Sequence, residues 1–331
     1  MAHRVLFSAQ AEYLGVASAM VKEAADAAAA ELLGPDVAVV TSEQTGLAEL
    51  SELCRTVPIP FVRHLAVEDV LVTASETPAA AAALLAGRTI ESLGLQVWTS
   101  GEVAVRAEGL RAELAEHLAA EGLPTVRRGA SQILAACATP GGVSLGLSDA
   151  SMMLCDWPGG RVRLRAGSEQ ISRSEFKLEE LAQLFPLDLP AEGRALDLGA
   201  SPGGWTRILR THGLEVVAVD PGDLDRKLAR DPGVRHERMT AGRFLRSSAE
   251  RFDLVVNDMR MDVARSAQLV VDAADRLNAE GRAVLTLKVT PRSARRELYE
   301  ALELLDPAYS LVFARQLHHN RNEVTLVLQR R

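Results

Sequence analysis

The stretch Asp197-Leu198-Gly199-Ala200-Ser201-Pro202-Gly203-Gly204-Trp205 constrains this chain more than any other. Apolar residues run into it from Ala195, and residues 205–211 read as a helix leaving it, so it is the turn of a strand–loop–helix unit. Three glycines within six positions let backbone N–H groups approach a ligand closely. The helix that follows offers its positive N-terminus to a carboxylate or phosphate. The glycines stand as G-x-x-x-G-G rather than G-x-G-x-x-G, so the loop is a nucleotide-cofactor cradle of a kind other than the dinucleotide one.

Strand and helix patterns alternate around this loop. Ser172-Arg173-Ser174-Glu175 has capping-box spacing and predicts a helix through Leu184, with Phe176, Leu181 and Leu184 facing inward. Short apolar runs then end in single polar residues: residues 195–198 in the glycine loop, 216–219 in Asp220, 252–257 in Asp258, and 283–287 in Lys288. Such runs suit buried parallel strands, and ligands of such sheets gather outside the strands' carboxyl ends. Residues 311–317 and 324–328 predict a terminal hairpin around His318-His319-Asn320-Arg321-Asn322-Glu323. Asp220, at the end of the second strand, is placed to accept hydrogen bonds from two ribose hydroxyls; the alternative is a turn residue before Pro221-Gly222.

The preceding half carries no chemical motif. It reads as α+β, with strands at 4–8, 37–41, 95–98, 124–128, 143–147 and 152–155 and helices at 13–33, 78–93 and 106–120. Pro158-Gly159-Gly160 marks the main boundary and Pro58 to Pro60 a weaker one, which gives a small α+β subdomain over 1–60, a second α+β domain over 61–157 and an α/β domain over 161–331. No run of eighteen apolar residues appears, and the chain enters its first strand directly, so a cytoplasmic protein without a membrane contact is expected. Cys54, Cys137 and Cys155 lack metal or disulfide spacing and read as core thiols. His318 and His319 have no third ligand at metal spacing, so no metal is expected there.

Net charge of -7 argues against a polyanionic partner until its distribution is considered. Residues 1–160 hold 9 Lys and Arg against 19 Asp and Glu, whereas residues 161–331 hold 28 against 25. The second half can therefore carry a phosphate-contacting surface, where Arg161, Arg163, Arg165, Arg173, Arg292, Arg295 and Arg296 cluster in sequence; the alternative is a plain solvated face. Only four of the 37 basic residues are lysines: Lys22, Lys177, Lys227 and Lys288. A chain that uses Arg wherever a plain charge suffices keeps Lys where a deprotonatable group has a use.

The order Ser-Arg-Ser-x-x-Lys-Leu-Glu-Glu (172–180), Asn-Asp-Met (257–259), Leu-Lys (287–288) and Glu323 before the last strand resembles the FtsJ-like 2'-O-ribose methyltransferases of RNA. The likeness is greatest to the RlmM type, the 23S rRNA cytidine 2'-O-methyltransferases. The glycine loop likewise resembles the S-adenosylmethionine loop of class I methyltransferases. The resemblance implies a Rossmann-like fold with a mostly parallel sheet and a terminal antiparallel hairpin, S-adenosyl-L-methionine as cofactor, and ribosomal RNA as partner. It also implies a catalytic tetrad of Lys177, Asp258, Lys288 and Glu323. Ser174, Gly199, Ser201, Pro202, Gly203, Gly204, Trp205, Asp220 and Asp258 would bind the cofactor. A 2'-hydroxyl is a weak nucleophile, so Lys288 would act as base with its pKa lowered by burial or by Lys177, or would chiefly orient the hydroxyl while the proton leaves late. The acid that such enzymes place after the third strand is absent from Arg238-Met239-Thr240-Ala241-Gly242, so no adenine-binding residue is named.

In that type an RNA-binding THUMP domain precedes the methyltransferase domain, and residues 61–157 match it in size and element order. Its excess of acid fits phosphate contact poorly, leaving shape-based contact near Arg127-Arg128 or a protein partner as its roles. A small-molecule O-methyltransferase would want an enclosed aromatic pocket, which thirteen aromatic residues supply sparingly. A non-catalytic RNA-binding or assembly factor would have no need of Lys288.

Overall fold

The computed structural model describes residues 2–56, 59–187 and 192–331. Its contacts divide the chain into two compact units, Met1–Arg161 and Val162–Arg331. Pro58, half of the weaker sequence break, lies outside the described residues.

The first unit contains β1 (His3–Ser8), α1 (Leu14–Ala24), β2 (Ala30–Leu32), β3 (Val37–Ser42), α2 (Leu47–Thr56) and β4 (His64–Val67). These precede β5 (Val70–Val72), α3 (Thr77–Leu85), β6 (Leu93–Thr99), α4 (Ala107–Ala120), β7 (Thr125–Val126), β8 (Gln132–Thr139) and β9 (Gly142–Asp149). The first sheet, ordered β2-β3-β1-β4, is antiparallel throughout. The second, ordered β5-β9-β8-β6-β7, is mixed, with β6 parallel to both β7 and β8. Leu6, Val39 and Ala66 of the first sheet share a buried cluster with Trp98, Ala135 and Cys137 of the second. Cys54, Cys137 and Cys155 are all buried thiols outside any disulfide, and burial pushes that of Cys137 far up.

Three expectations for this half are corrected. The helix foreseen over 13–33 stops at Ala24, because Asp26 takes a positive φ of 48° and Ala27 N–H returns to Lys22 O, a C-terminal cap that frees residues 30–32 to join a sheet. The helix foreseen over 78–93 stops at Leu85, ahead of Gly87 with φ 72°, and Leu93 opens β6 instead. Residues 152–155 form no strand; Met152 closes a 3-10 turn and Cys155 packs as a loop residue.

The second unit runs α5 (Glu175–Leu184), β10 (Arg194–Leu198), α6 (Gly204–Thr211), β11 (Glu215–Val219), β12 (Val234–Glu237), α7 (Ala241–Ser247) and β13 (Phe252–Asn257). It continues with α8 (Val263–Ala273), β14 (Leu277–Lys288), α9 (Ala294–Leu305), β15 (Tyr309–Arg315) and β16 (Glu323–Arg330). Its seven strands are ordered β12-β11-β10-β13-β14-β16-β15; the first five are parallel and the last two antiparallel to their neighbours. This is a Rossmann-like α/β sheet with an antiparallel terminal hairpin, and it follows an α+β unit. Burial on both faces explains the unbroken apolar runs, since Leu196, Val216, Leu254, Val255 and Val284 are all at most 1% exposed. Strand order reverses between β10 and β13, and such a switch point opens a crevice at the strands' carboxyl ends.

Helix α5 lies where the capping-box spacing predicts it, and two of the three foreseen inner residues face inward. Leu181 packs beside Leu178 against Trp205, Ile208 and Leu209 of α6, and half-buried Leu184 packs on the same cluster, whereas Phe176 does not. Phe176 instead sets its ring 5.0 Å from that of His319. Among the described residues no helix is long and apolar enough to cross a membrane.

Candidate active site

Four elements deliver the four charged residues singled out in the sequence. Lys177 lies in the first turn of α5, Asp258 directly follows β13, and Lys288 and Glu323 are direct cross-strand partners at the ends of β14 and β16. Lys177 Nζ is 2.9 and 3.0 Å from the two Asp258 carboxylate oxygens and 2.6 Å from Glu323 Oε2. Lys288 Nζ donates to Asp258 Oδ1 at 2.6 Å and lies 2.9 Å from Glu323 Oε1. Two ammonium groups thus bridge two carboxylates in a closed ring whose charges cancel. Their side chains keep 12–18% exposure, so the ring is largely removed from water yet open on one side.

The ring fixes protonation at two members. Burial disfavours the charged form of Asp258, but Lys288 and Lys177 outweigh it and hold the carboxyl below its ordinary value. Burial likewise opposes charge on Lys177, yet Asp258 and Glu323 prevail and raise its pKa.

The glycine loop forms the other wall. Gly199 has φ 78°, and a Cβ there would stand 2.0 Å from Met259 Cγ, so the loop can lie this close to the segment after β13 only with glycine. A Cβ on Gly204 would stand 2.1 Å from Ser172 Oγ, which presses the start of α6 against the Ser172–Ser174 turn. Asp220 accepts the N–H groups of Ser201 at 3.2 Å and Gly222 at 2.7 Å, one on each carboxylate oxygen. It is therefore a turn residue, and each oxygen keeps a second acceptor direction for a diol. Trp205 Nε1 donates to Ser174 O at 2.8 Å, and Ser174 Oγ lies 2.6 Å from Ser172 Oγ.

These parts line one cleft of about 840 Å³, ample for a nucleoside-sized ligand and a second substrate group. The tetrad lines it together with Ser174, Gly199, Ser201, Pro202, Gly204, Trp205 and Asp220. Gly203 is not on its wall; with φ 113° it caps α6 and backs onto Leu228. A strained glycine turn, free amides at a helix start and a carboxylate at the next strand's end fit a ligand joining an amino-acid end to a ribose. Among the described residues no group of three His, Cys, Asp or Glu is arranged to hold a metal.

Several residues that hold this geometry were not singled out. Thr286, two residues before Lys288 on β14, donates to Asp258 Oδ1 at 2.5 Å and accepts from Lys288 Nζ at 2.7 Å. Asn257 accepts Met259 N–H at 3.0 Å and donates to Ser266 Oγ at 3.2 Å, fixing the turn that carries Asp258. Glu175, the acid of the capping-box spacing already noted, is 1% exposed; it accepts the N–H groups of Ile171 and Ser172 and pairs with Arg207 of α6. Glu180, equally buried, accepts the N–H groups of His318 at 2.6 Å and His319 at 2.9 Å and contacts His319 Nδ1 at 2.6 Å. That is the structural role of the histidine pair: His319 ties the connection before β16 to α5. Beneath the loop Asp197 accepts from Thr206 at 2.7 Å, and full burial pushes its carboxyl up to about 7.

The profile of FtsJ-like methyltransferases matches residues 170–329. Ribosomal RNA large subunit methyltransferase M of Halorhodospira halophila is 38% identical over 178 residues, which cover 53% of this chain and 51% of that protein. Its namesake in Methylococcus capsulatus is 39% identical over 187 residues, covering 52% and 51%. The chain spans about half the length of the curated relatives it matches. Among solved structures, TrmN from Thermus thermophilus aligns over 99% of this chain and 100% of its own at 18% identity and a TM-score of 0.40.

Proposed function

From the match of residues 170–329 to the FtsJ-like methyltransferase profile, we propose that this protein transfers a methyl group from S-adenosyl-L-methionine to a ribose 2'-hydroxyl of RNA, with large-subunit ribosomal RNA as the acceptor. The observation that carries this reading is the Lys177–Asp258–Lys288–Glu323 ring standing in the same cleft as the glycine loop and Asp220. Names of relatives point the same way: those from Halorhodospira and Methylococcus are large-subunit ribosomal RNA methyltransferases.

The amides of Gly203, Gly204 and Trp205 at the start of α6, with Ser174 and Asp258 beside them, would hold the amino-acid end of the cofactor, and Asp220 its ribose diol. When bound there, the cofactor supplies a methyl group on a positively charged sulfur. Lys288 meets the acceptor hydroxyl and orients it; having first released its own extra proton to solvent, the neutral amine takes the hydroxyl proton as the oxygen–methyl bond forms. Asp258 and Glu323 set the position of Nζ, and Lys177 balances their charge. The first unit places the RNA in this reading, as a THUMP-like module over residues 61–157; docking of a protein on its acidic surface is the competing role.

The test is transfer of labelled methyl to ribosomal RNA isolated from a strain lacking the protein, with the product nucleoside identified by mass spectrometry. A 2'-O-methylated nucleoside that disappears with Lys288→Ala is expected. Base methylation would move the acceptor atom, and no incorporation into RNA would remove the reading.

A further inference from the structure

Helix α9 carries its charges in the order that a lone helix disfavours. A helix stabilises acids near its N-terminus and bases near its C-terminus. In α9, Arg295 and Arg296 stand in the first turn and Arg292 in the turn before it, whereas Glu303 stands in the last turn, Asp306 caps it, and no basic residue occupies that end. The one acid of the first turn, Glu297, is engaged locally by Thr290 and Ser293. Partners within the chain offset little of the rest. Arg296 reaches only Glu300 at 4.0 Å, Asp306 pairs with exposed Arg331 at 2.6 Å, and no hydrogen bond or ion pair engages Glu303 among the described residues. None of the three arginines lines the cleft.

Ala294, Leu298, Ala301 and Leu305 bury one face of α9, so Arg296, Tyr299, Glu303 and Leu304 stand exposed outside it. Tyr299 marks the middle of the helix, with the Arg295 guanidinium 5.6 Å from its ring centre. In contact with α9, β15 ends the sheet with a register shift between Leu311 and Phe313 and exposes Val312. A bulged edge resists strand pairing, which leaves the helix as the surface to dock. Tyr299, Leu304 and Val312 are three of the six large hydrophobic side chains exposed among the described residues, so such exposure concentrates on these two elements.

We propose that α9 is the contact of a symmetric homodimer, in which it lies antiparallel to α9 of a second copy. A two-fold axis near Tyr299 sets Arg296 of each copy against Glu303 of the other, Arg292 against Asp306, and the two tyrosines against each other. The positive end of each helix then meets the negative end of the other, so the charge order that opposes the dipole within one chain suits the pair. An RNA strand fits this surface poorly, because Glu300, Glu303 and Asp306 would face its phosphates. A helix of 12 residues offers a small interface, below about 1,200 Å² in total, so the dimer is reversible and forms at micromolar concentration.

The experiment is sedimentation velocity on the full chain over a concentration series up to about 100 µM, with Arg296→Glu, Glu303→Arg and the double variant Arg296→Glu/Glu303→Arg beside the wild type. The wild type should form a species of twice the 35.6 kDa chain mass, and salt should weaken it. Two-fold symmetry repeats every contact, so each single reversal meets like charge twice and should weaken association about a hundredfold, while the double variant should return to within about tenfold of the wild type. Both single changes suit the helix dipole, so α9 stays folded, and an unchanged circular dichroism spectrum reports it. A wild type that stays monomeric throughout overturns the proposal, as does a dimer indifferent to the single reversals or not restored by the swap. Arg296→Glu that weakens binding of a single-stranded RNA and leaves the mass unchanged assigns the arginines to RNA and overturns it as well.

Discussion

Glu180→Gln tests whether a single buried carboxylate holds the acceptor side of the cleft. The replacement keeps shape and volume, so no cavity arises, but one oxygen becomes an NH2 group. Glu180 is 1% exposed, and its two oxygens accept the backbone N–H groups of His318 and His319. One of those donors would then face another donor. A buried N–H left without a partner costs about 1–3 kcal/mol, and weakening the other bond from charged to neutral costs about 1 kcal/mol more. A total of roughly 2–4 kcal/mol, at about 2–4 °C per kcal/mol for a unit of this size, lowers its melting temperature by roughly 5–15 °C. Differential scanning calorimetry of the full chain reads this as movement of one transition, since two units need not melt together. Because Glu323 follows four residues after His319, the methyl-transfer rate should fall as well, with cofactor affinity nearly unchanged. A transition shifted by less than about 1 °C with an unaltered rate would refute the clamp.

Replacing Asp220 with Ala should weaken cofactor binding by titration calorimetry about tenfold or more, the worth of a charge-assisted hydrogen-bond pair; unaltered affinity would put the ribose elsewhere. Thr286→Val should lower kcat for methyl transfer with little change in KM for either substrate, and Thr286→Ser should restore it, because the hydroxyl sets the Lys288 and Asp258 geometry and binds nothing itself. Equal loss in both variants would reduce Thr286 to packing. Asp197 keeps its proton up to about pH 7 when folded, against 3.8 for its ordinary value, so the folded unit holds an extra proton between those limits and loses stability as pH rises through them. Asp197→Asn should remove that slope and gain up to ~4 kcal/mol over the wild type above pH 7; parallel stability–pH curves would show that the carboxyl ionises freely.

Sequence periodicity revealed the second unit better than the first for a physical reason. Strands buried on both faces are apolar without interruption, so each polar residue that ends one stands out, and Asp220, Asp258 and Lys288 were found that way. Glu175 showed itself only through the capping-box spacing, and Glu180 gave no sign, because a glutamate on a helix ordinarily faces water; the burial of Glu180 is set by a chain segment far away in sequence. Thr286 hid as a small residue in an apolar run, although its place two positions from Lys288, on the same face of the strand, was a usable signal. Asn257, polar at the end of an otherwise apolar strand, offered another. In the first unit the alanine-rich stretch after Met20 favours helix almost throughout, and neither Gly nor Pro announces the stop at Ala24. Asp26 supplies it instead, through a backbone conformation that composition does not record.

The placement of β16 between β14 and β15 makes the last strand a keystone and not an appendage. With β16 absent, β14 would have an unpaired edge, β15 would have no neighbour in the sheet, and Lys288 would lack the carboxylate that faces it across the ladder. Closing the sheet and charging the site are one event. A one-residue slip of β16 would send Glu323 to the opposite face and, on the methyl-transfer reading, abolish turnover while leaving the glycine loop in place.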